Sequence, residues 1–128
     1  MSNESLQNKK ILWVEDDVFL SDIVARKMST VNAQLLHAVD GSQTFKILES
    51  ETPDLIVLDI LLPGMSGYEI LEKIKQEEKL KNIPVIILSN FGQKSEVDKG
   101  ISLGANKYLI KATLTLDEIL LEIGKILS

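Results

Sequence analysis

Short apolar runs alternate with longer amphipathic stretches along almost the whole chain. The first run, Lys10–Val14, is followed by Asp17 to Thr30, where Phe19, Leu20, Ile23, Val24 and Met28 recur at helical steps, the stripe of a helix that buries one face. Ala33–Ala38 reads as a second strand. Asp40-Gly41-Ser42 offers turn and N-cap chemistry, and Phe45, Ile47 and Leu48 form the apolar side of a short helix ending before Thr52-Pro53. Leu55–Leu58 is a continuous apolar strand, and Leu62-Pro63-Gly64 breaks the chain after it. Ser66–Glu78 then carries Ile70, Leu71 and Ile74 at helical spacing, Pro84–Leu88 is a fourth strand, and Lys94–Leu103 is a weaker helix with only Val97, Ile101 and Leu103 as apolar positions. After Gly104, Lys107–Ile110 is a fifth strand, and Leu116, Ile119, Leu120, Ile123 and Leu127 stripe a last helix.

Five strands in strict alternation with five helices predict an α/β fold: a parallel sheet with right-handed crossovers and helices on both faces. Strands apolar at every position suit a sheet covered on both sides. In doubly wound sheets of this kind ligands bind beyond the carboxyl ends of the strands, which directs attention to the residues that follow each one.

Composition narrows the classes of function. The 128 residues include 14 basic and 19 acidic side chains, a net charge of −5, and the whole surplus lies in residues 1–64, with 5 basic against 10 acidic, because residues 65–128 hold 9 of each. An acidic chain does not offer the broad basic face that direct nucleic-acid binding needs. The absence of cysteine excludes disulfides, thiol catalysis and Cys-ligated zinc. The longest apolar runs, around Leu55–Leu62 (interrupted by Asp59) and Ile83–Leu88, are far too short to cross a membrane, and the polar N-terminus has no signal-peptide core, so a cytoplasmic protein without membrane insertion is expected. Residues 1–8 are expected to form a frayed lead, and residues 9–128 one domain.

The predicted strands end in Glu15-Asp16-Asp17, Asp59, Ser89-Asn90 and Lys111. Carboxylates crowded at one edge repel each other unless a hard cation lies between them, and an oxygen-only ligand set points to magnesium rather than zinc. An Asp beside a cation and a lysine is equipped to attack a phosphoryl group whose oxygens they neutralise. Taken singly, several of these residues have plainer roles. Asp17 is better explained as a helix cap than as a ligand, and Ser89 and Lys111 alone would be ordinary turn and surface residues. Asp59, at the rim of a buried strand, is costly unless paired or metal-bound. Trp13 is read as core, His37 as a surface residue, and Gly64 and Gly67 as turn formers.

At these positions the sequence resembles the receiver domain of two-component response regulators, in the stand-alone form of the chemotaxis regulators. The matching stretches are Ile11 to Asp17, Pro53 to Gly67, Ile83 to Ser89 and Gly104 to Lys111, so the resemblance covers residues 9–127. It implies a flavodoxin-like five-stranded sheet of order 2-1-3-4-5. It also implies that Asp59 is the phosphoacceptor. Mg2+ would be held by Asp16 directly, by Glu15 largely through water, by Asp59 and by the backbone carbonyl of Leu61. Ser89 would be the switch hydroxyl, Lys111 the phosphate-pairing lysine and Tyr108 the switch aromatic. The implied partners are a sensor histidine kinase or phosphotransfer protein upstream and an effector protein downstream, with the chain a monomer or weak dimer. The effector would read the fourth helix, fifth strand and fifth helix, where Lys94, Glu96, Lys99, Lys107 and Tyr108 offer a mixed surface.

Two features depart from or qualify the pattern. Ala112 follows Lys111 where the family usually has Pro, often after a cis bond; a cis bond before Ala costs about 3 kcal/mol, so a trans or strained bond is expected. Leu61 and Phe91, two residues beyond Asp59 and Ser89, are apolar where they would flank an acyl phosphate, and they are expected to slow its hydrolysis. Two other functions fit less well. A Mg-dependent aspartyl phosphohydrolase would need an acid two residues past its nucleophile, where Leu61 stands. A phosphorylation-independent interaction module would not need the set Glu15, Asp16, Asp59, Ser89 and Lys111.

Overall fold

A computed structural model describes residues 4–128. The strands are β1 (Lys10–Val14), β2 (Gln34–Ala38), β3 (Leu55–Leu58), β4 (Val85–Ser89) and β5 (Lys107–Ile110), and the helices are α1 (Val18–Thr30), α2 (Gly41–Ser50), α3 (Gly67–Gln76), α4 (Lys94–Ser102) and α5 (Leu116–Leu127). All strand pairings are parallel, in the order β2-β1-β3-β4-β5, as the alternation and the resemblance require.

The period-2 alternation of each central strand sorts its side chains into two cores. Leu12, Val14, Ile56, Leu58 and Ile87 face Leu48 of α2 and Ile70, Leu71 and Ile74 of α3. Ile11, Trp13, Leu55, Val57 and Leu88 face Val24 and Met28 of α1 and Ile119, Leu120 and Ile123 of α5. Trp13 is thus core, as expected.

Local chemistry sets the helix starts. Asp17, Asp40, Ser66 and Thr115 each accept a hydrogen bond from the backbone N–H three residues on, and the Glu118 carboxylate in turn accepts from Thr115 N–H, which completes a capping box. Asp17 is therefore the cap that its position suggested. Gln93, before α4, makes no such side-chain bond.

The expectation of a frayed lead needs correction. Met1–Asn3 lie outside the described residues, but Glu4–Leu6 form a 3-10 turn, Leu6 is only 1% exposed within the α1/α5 core, and Asn8 N–H donates to Asn32 O at 2.9 Å. One leucine in a polar stretch carries no periodicity, so sequence patterning does not reveal its burial.

Candidate functional site

Glu15, Asp16 and Asp59 come together because β1 and β3 are hydrogen-bonded neighbours that end at the same height. Asp59 N–H donates to Val14 O at 3.1 Å, which sets the β3 carboxylate beside the β1 pair. One carboxylate oxygen from each of the three residues lies within 4.8 Å of the others, with Glu15 and Asp59 buried and Asp16 exposed. An all-carboxylate donor set of this spacing fits a hard divalent cation such as Mg2+.

Lys111 reaches the cluster from the end of β5. Its Nζ donates to Asp59 Oδ2 at 2.8 Å and lies 2.8 Å from Glu15 Oε1, while Asp59 Oδ1 accepts from Ile60 N–H at 2.7 Å. Burial raises the Glu15 pKa above the ordinary carboxylate range, Lys111 works against that rise, and Asp59 adds to it. Burial by itself lowers the Lys111 ammonium, but its bonds to Asp59 and Glu15 outweigh that effect and hold its pKa above the usual lysine value. The lysine is thus a fixed cation between two acids.

Ala112 explains how Lys111 is held without a proline. Every peptide bond among the described residues is trans, and Ala112 N–H donates to Asn90 Oδ1 at 3.0 Å. Proline has no such donor. The bond ties the loop after β4 to the turn after β5, so the departure from the family pattern brings its own brace.

Ser89 ends β4 and is buried, and its Oγ accepts from Phe91 N–H at 3.1 Å. Tyr108 is half-buried in β5, with its hydroxyl donating to Phe91 O at 2.7 Å. The loop after Ser89 is therefore held by both residues that the resemblance associates with switching. Leu61 and Phe91, two residues beyond Asp59 and Ser89, are exposed.

Three features were not read from the sequence. Tyr68, in the first turn of α3, is buried and donates to Glu96 O at 3.0 Å and Glu96 Oε2 at 2.6 Å, with Lys99 Nζ 4.4 Å from its ring centroid. Burial and the bond to Glu96 push its phenol well above the usual tyrosine range, so it remains a donor. Spacing with Leu71 could have assigned Tyr68 to an inner helix face, but Glu96 is 28 residues away on another helix. Gly67 is not a turn former as expected: a Cβ there would sit 2.1 Å from Asp59 O, so α3 starts in close contact with the site. His37 is half-buried and hydrogen-bonded rather than a plain surface residue.

Similarity to known proteins agrees with this geometry. The chain is 31% identical over 106 residues to the probable transcriptional regulator ycf27 of Cyanophora paradoxa, covering 83% of this chain and 43% of that protein. It spans about two fifths of the length of the curated relatives it matches. The crystal structure of a putative response regulator from Chloroflexus aurantiacus superposes with a TM-score of 0.86 at 26% identity, over 94% of this chain and 98% of that one. The phosphorylated cyanobacterial phytochrome response regulator RcpA gives 0.79 at 29% identity, over 93% and 91%. Among the described residues no helix is long and apolar enough to cross a membrane. Residues 11–123 match the response regulator receiver domain, and with the five-stranded order and the acidic edge in place, the chain belongs to that family.

Proposed function

We propose that the chain is a phosphoacceptor module of a two-component system in which Asp59 takes a phosphoryl group from the phosphohistidine of a sensor kinase or phosphotransfer protein. An Asp59 carboxylate oxygen attacks phosphorus, the N–P bond breaks, and the histidine leaves with the bonding pair and takes up a proton. Asp16, Asp59, the Leu61 carbonyl and Glu15 would hold Mg2+, which when bound would neutralise charge on the transferring oxygens. Lys111 pairs with the phosphoryl group. Ser89 gives up its bond from Phe91 N–H to meet the same group, and Tyr108 leaves Phe91 O and turns inward. An effector reads the change on the α4, β5 and α5 surface.

The observation that carries this reading is the lysine bridge: one ammonium 2.8 Å from both Glu15 and Asp59, at an edge where a third carboxylate joins them. One ammonium against three carboxylates leaves an excess of negative charge that a divalent cation would neutralise, and with that cation bound the lysine is free to face a phosphoryl group. The relatives are named as transcriptional regulators, which supports signalling rather than metabolic chemistry.

Incubation with Mg2+ and acetyl phosphate is expected to add one phosphoryl mass to the protein and none to Asp59→Asn. No addition to the unchanged chain, or addition that survives Asp59→Asn, would reject the reading.

A further inference from the structure

Glu15 meets the edge strand β2 through both of its backbone groups. Its N–H donates to Ala38 O at 3.0 Å, which extends the sheet by one rung. Its carbonyl oxygen lies 2.7 Å from His37 Nε2, and the same nitrogen is 2.8 Å from Ser21 Oγ in the first turns of α1. A carbonyl oxygen can only accept, so Nε2 carries the proton, and Ser21 Oγ is its second acceptor. His37 is the only histidine in the chain.

The Glu15 carbonyl and the Asp16 nitrogen belong to one rigid peptide plane. A donor fixed on that carbonyl therefore fixes the plane from which the Asp16 side chain departs. Asp16 itself has no ion pair among the described residues, and beyond it Asp17 is already committed to capping Leu20 N–H at 3.1 Å. Orientation of the exposed carboxylate thus depends on the backbone on either side of it, and His37 holds one of those sides.

We infer that His37 is a positioning residue for the cation site: its Nε2–H ties the peptide before Asp16 to β2 and, through Ser21, to α1. The inference rests on the reading that Glu15, Asp16 and Asp59 hold Mg2+. Partners that orient metal ligands from outside affect affinity by about tenfold or more when removed, so loss of this donor is expected to act on cation affinity rather than on phosphoryl chemistry.

The test is calorimetric titration of MgCl2 into the full chain, His37→Leu and His37→Gln. Leu keeps much of the volume without a donor, whereas the Gln amide nitrogen reaches about as far as Nε2. His37→Leu is expected to weaken Mg2+ about tenfold, and His37→Gln to recover most of the loss. Acetyl phosphate loading of His37→Leu should be slow at limiting Mg2+ and normal at saturating Mg2+, a split that a packing defect would not produce. Undiminished affinity in His37→Leu, or equal loss in both variants, would sink the inference while leaving the cation site standing. A full chain that binds no Mg2+ would instead remove the site, and the inference with it. Should His37→Leu fail to fold, long-range 1H–15N spectra of the unchanged chain decide the matter: a proton on Nε2 sustains the inference, and a neutral ring protonated on Nδ1 overturns it.

Discussion

α3 and α4 leave the same edge of the sheet through loops that follow Asp59 and Ser89, yet they are fastened in opposite ways. α3 buries Gly67, Tyr68, Ile70, Leu71 and Ile74 and is capped by Ser66, whereas α4 buries only Gly100 and lacks a side-chain cap. α3 is part of the scaffold that holds the Asp59 backbone. α4 sits on Tyr108 through Gly100, where a Cβ would come within 2.9 Å of the tyrosine ring, and is tied to α3 by the Tyr68 to Glu96 bonds. Elements with little buried apolar surface open at low free-energy cost. The difference teaches that rigidity and responsiveness are distributed by loop: the loop after Asp59, the proposed acceptor, is locked, and the loop after Ser89, the proposed switch hydroxyl, is held by a few polar contacts that an event at the site could exchange.

The sharpest way to break the locked side is Gly67→Ala. The added Cβ would meet backbone, Asp59 O at 2.1 Å and Ile60 Cα at 2.8 Å, and neither can step aside as a flexible side chain would. Relief requires α3 to move off the sheet or Asp59 to shift. Destabilisation of about 3 kcal/mol or more is expected in urea unfolding, together with loss of acetyl phosphate loading at saturating Mg2+. A change below about 1 kcal/mol would mean that the close approach does not constrain the site.

How much of this was legible in the sequence follows from the range of the interactions. Strands and helices were readable because Ile, Leu and Val repeat at periods of two and 3.6, and the acidic edge was readable because parallel alternation sends every strand end to one side. The strengths of α3 and α4 were partly readable too, since Lys94–Leu103 has few apolar positions. What could not be read was pairing across distance. Tyr68 and Glu96 are 28 residues apart and His37 and Glu15 are 22 apart, and nothing local marks either pair. Gly67 looked like turn punctuation because a requirement for close approach leaves the same letter as a requirement for positive φ. Leu6 was lost for want of a second apolar residue to make a pattern.

A milder change should loosen the responsive side alone. Tyr68→Phe keeps the ring under Lys99, so the cation–π contact survives while the bonds to Glu96 O and Oε2 are lost. Because Glu96 can turn to water, the cost should be about 1 kcal/mol, confined to α4. Hydrogen exchange is the suitable measurement: amides of residues 97–102 should exchange faster, with β1 and β3 unchanged. Uniform acceleration across the sheet would instead make Tyr68 a core residue like its neighbours and erase the contrast between the helices.

The smallest effect on stability is expected where the two loops present matching side chains to solvent. Leu61 stands two residues past Asp59 and is 66% exposed, and Phe91 stands two residues past Ser89 and is 37% exposed. Neither fills a core, so Leu61→Asn and Phe91→Asn should alter unfolding by no more than about 0.5 kcal/mol. Their places two residues past Asp59 and Ser89 give them a different leverage. An acyl phosphate formed there is lost when water attacks phosphorus, and an apolar side chain over it excludes that water, whereas an amide can hydrogen-bond and orient it. Phosphorylated protein freed of donor should therefore lose phosphate several-fold faster in either variant, timed by intact mass. The comparison of the loops adds a direction: Leu61 extends from the locked loop and keeps its place, while Phe91 hangs from the backbone whose carbonyl Tyr108 now holds and is expected to release. Leu61→Asn should then shorten the lifetime more than Phe91→Asn, and the reverse order would indicate that the loop after Ser89 closes over the phosphoryl group rather than moving away from Tyr108.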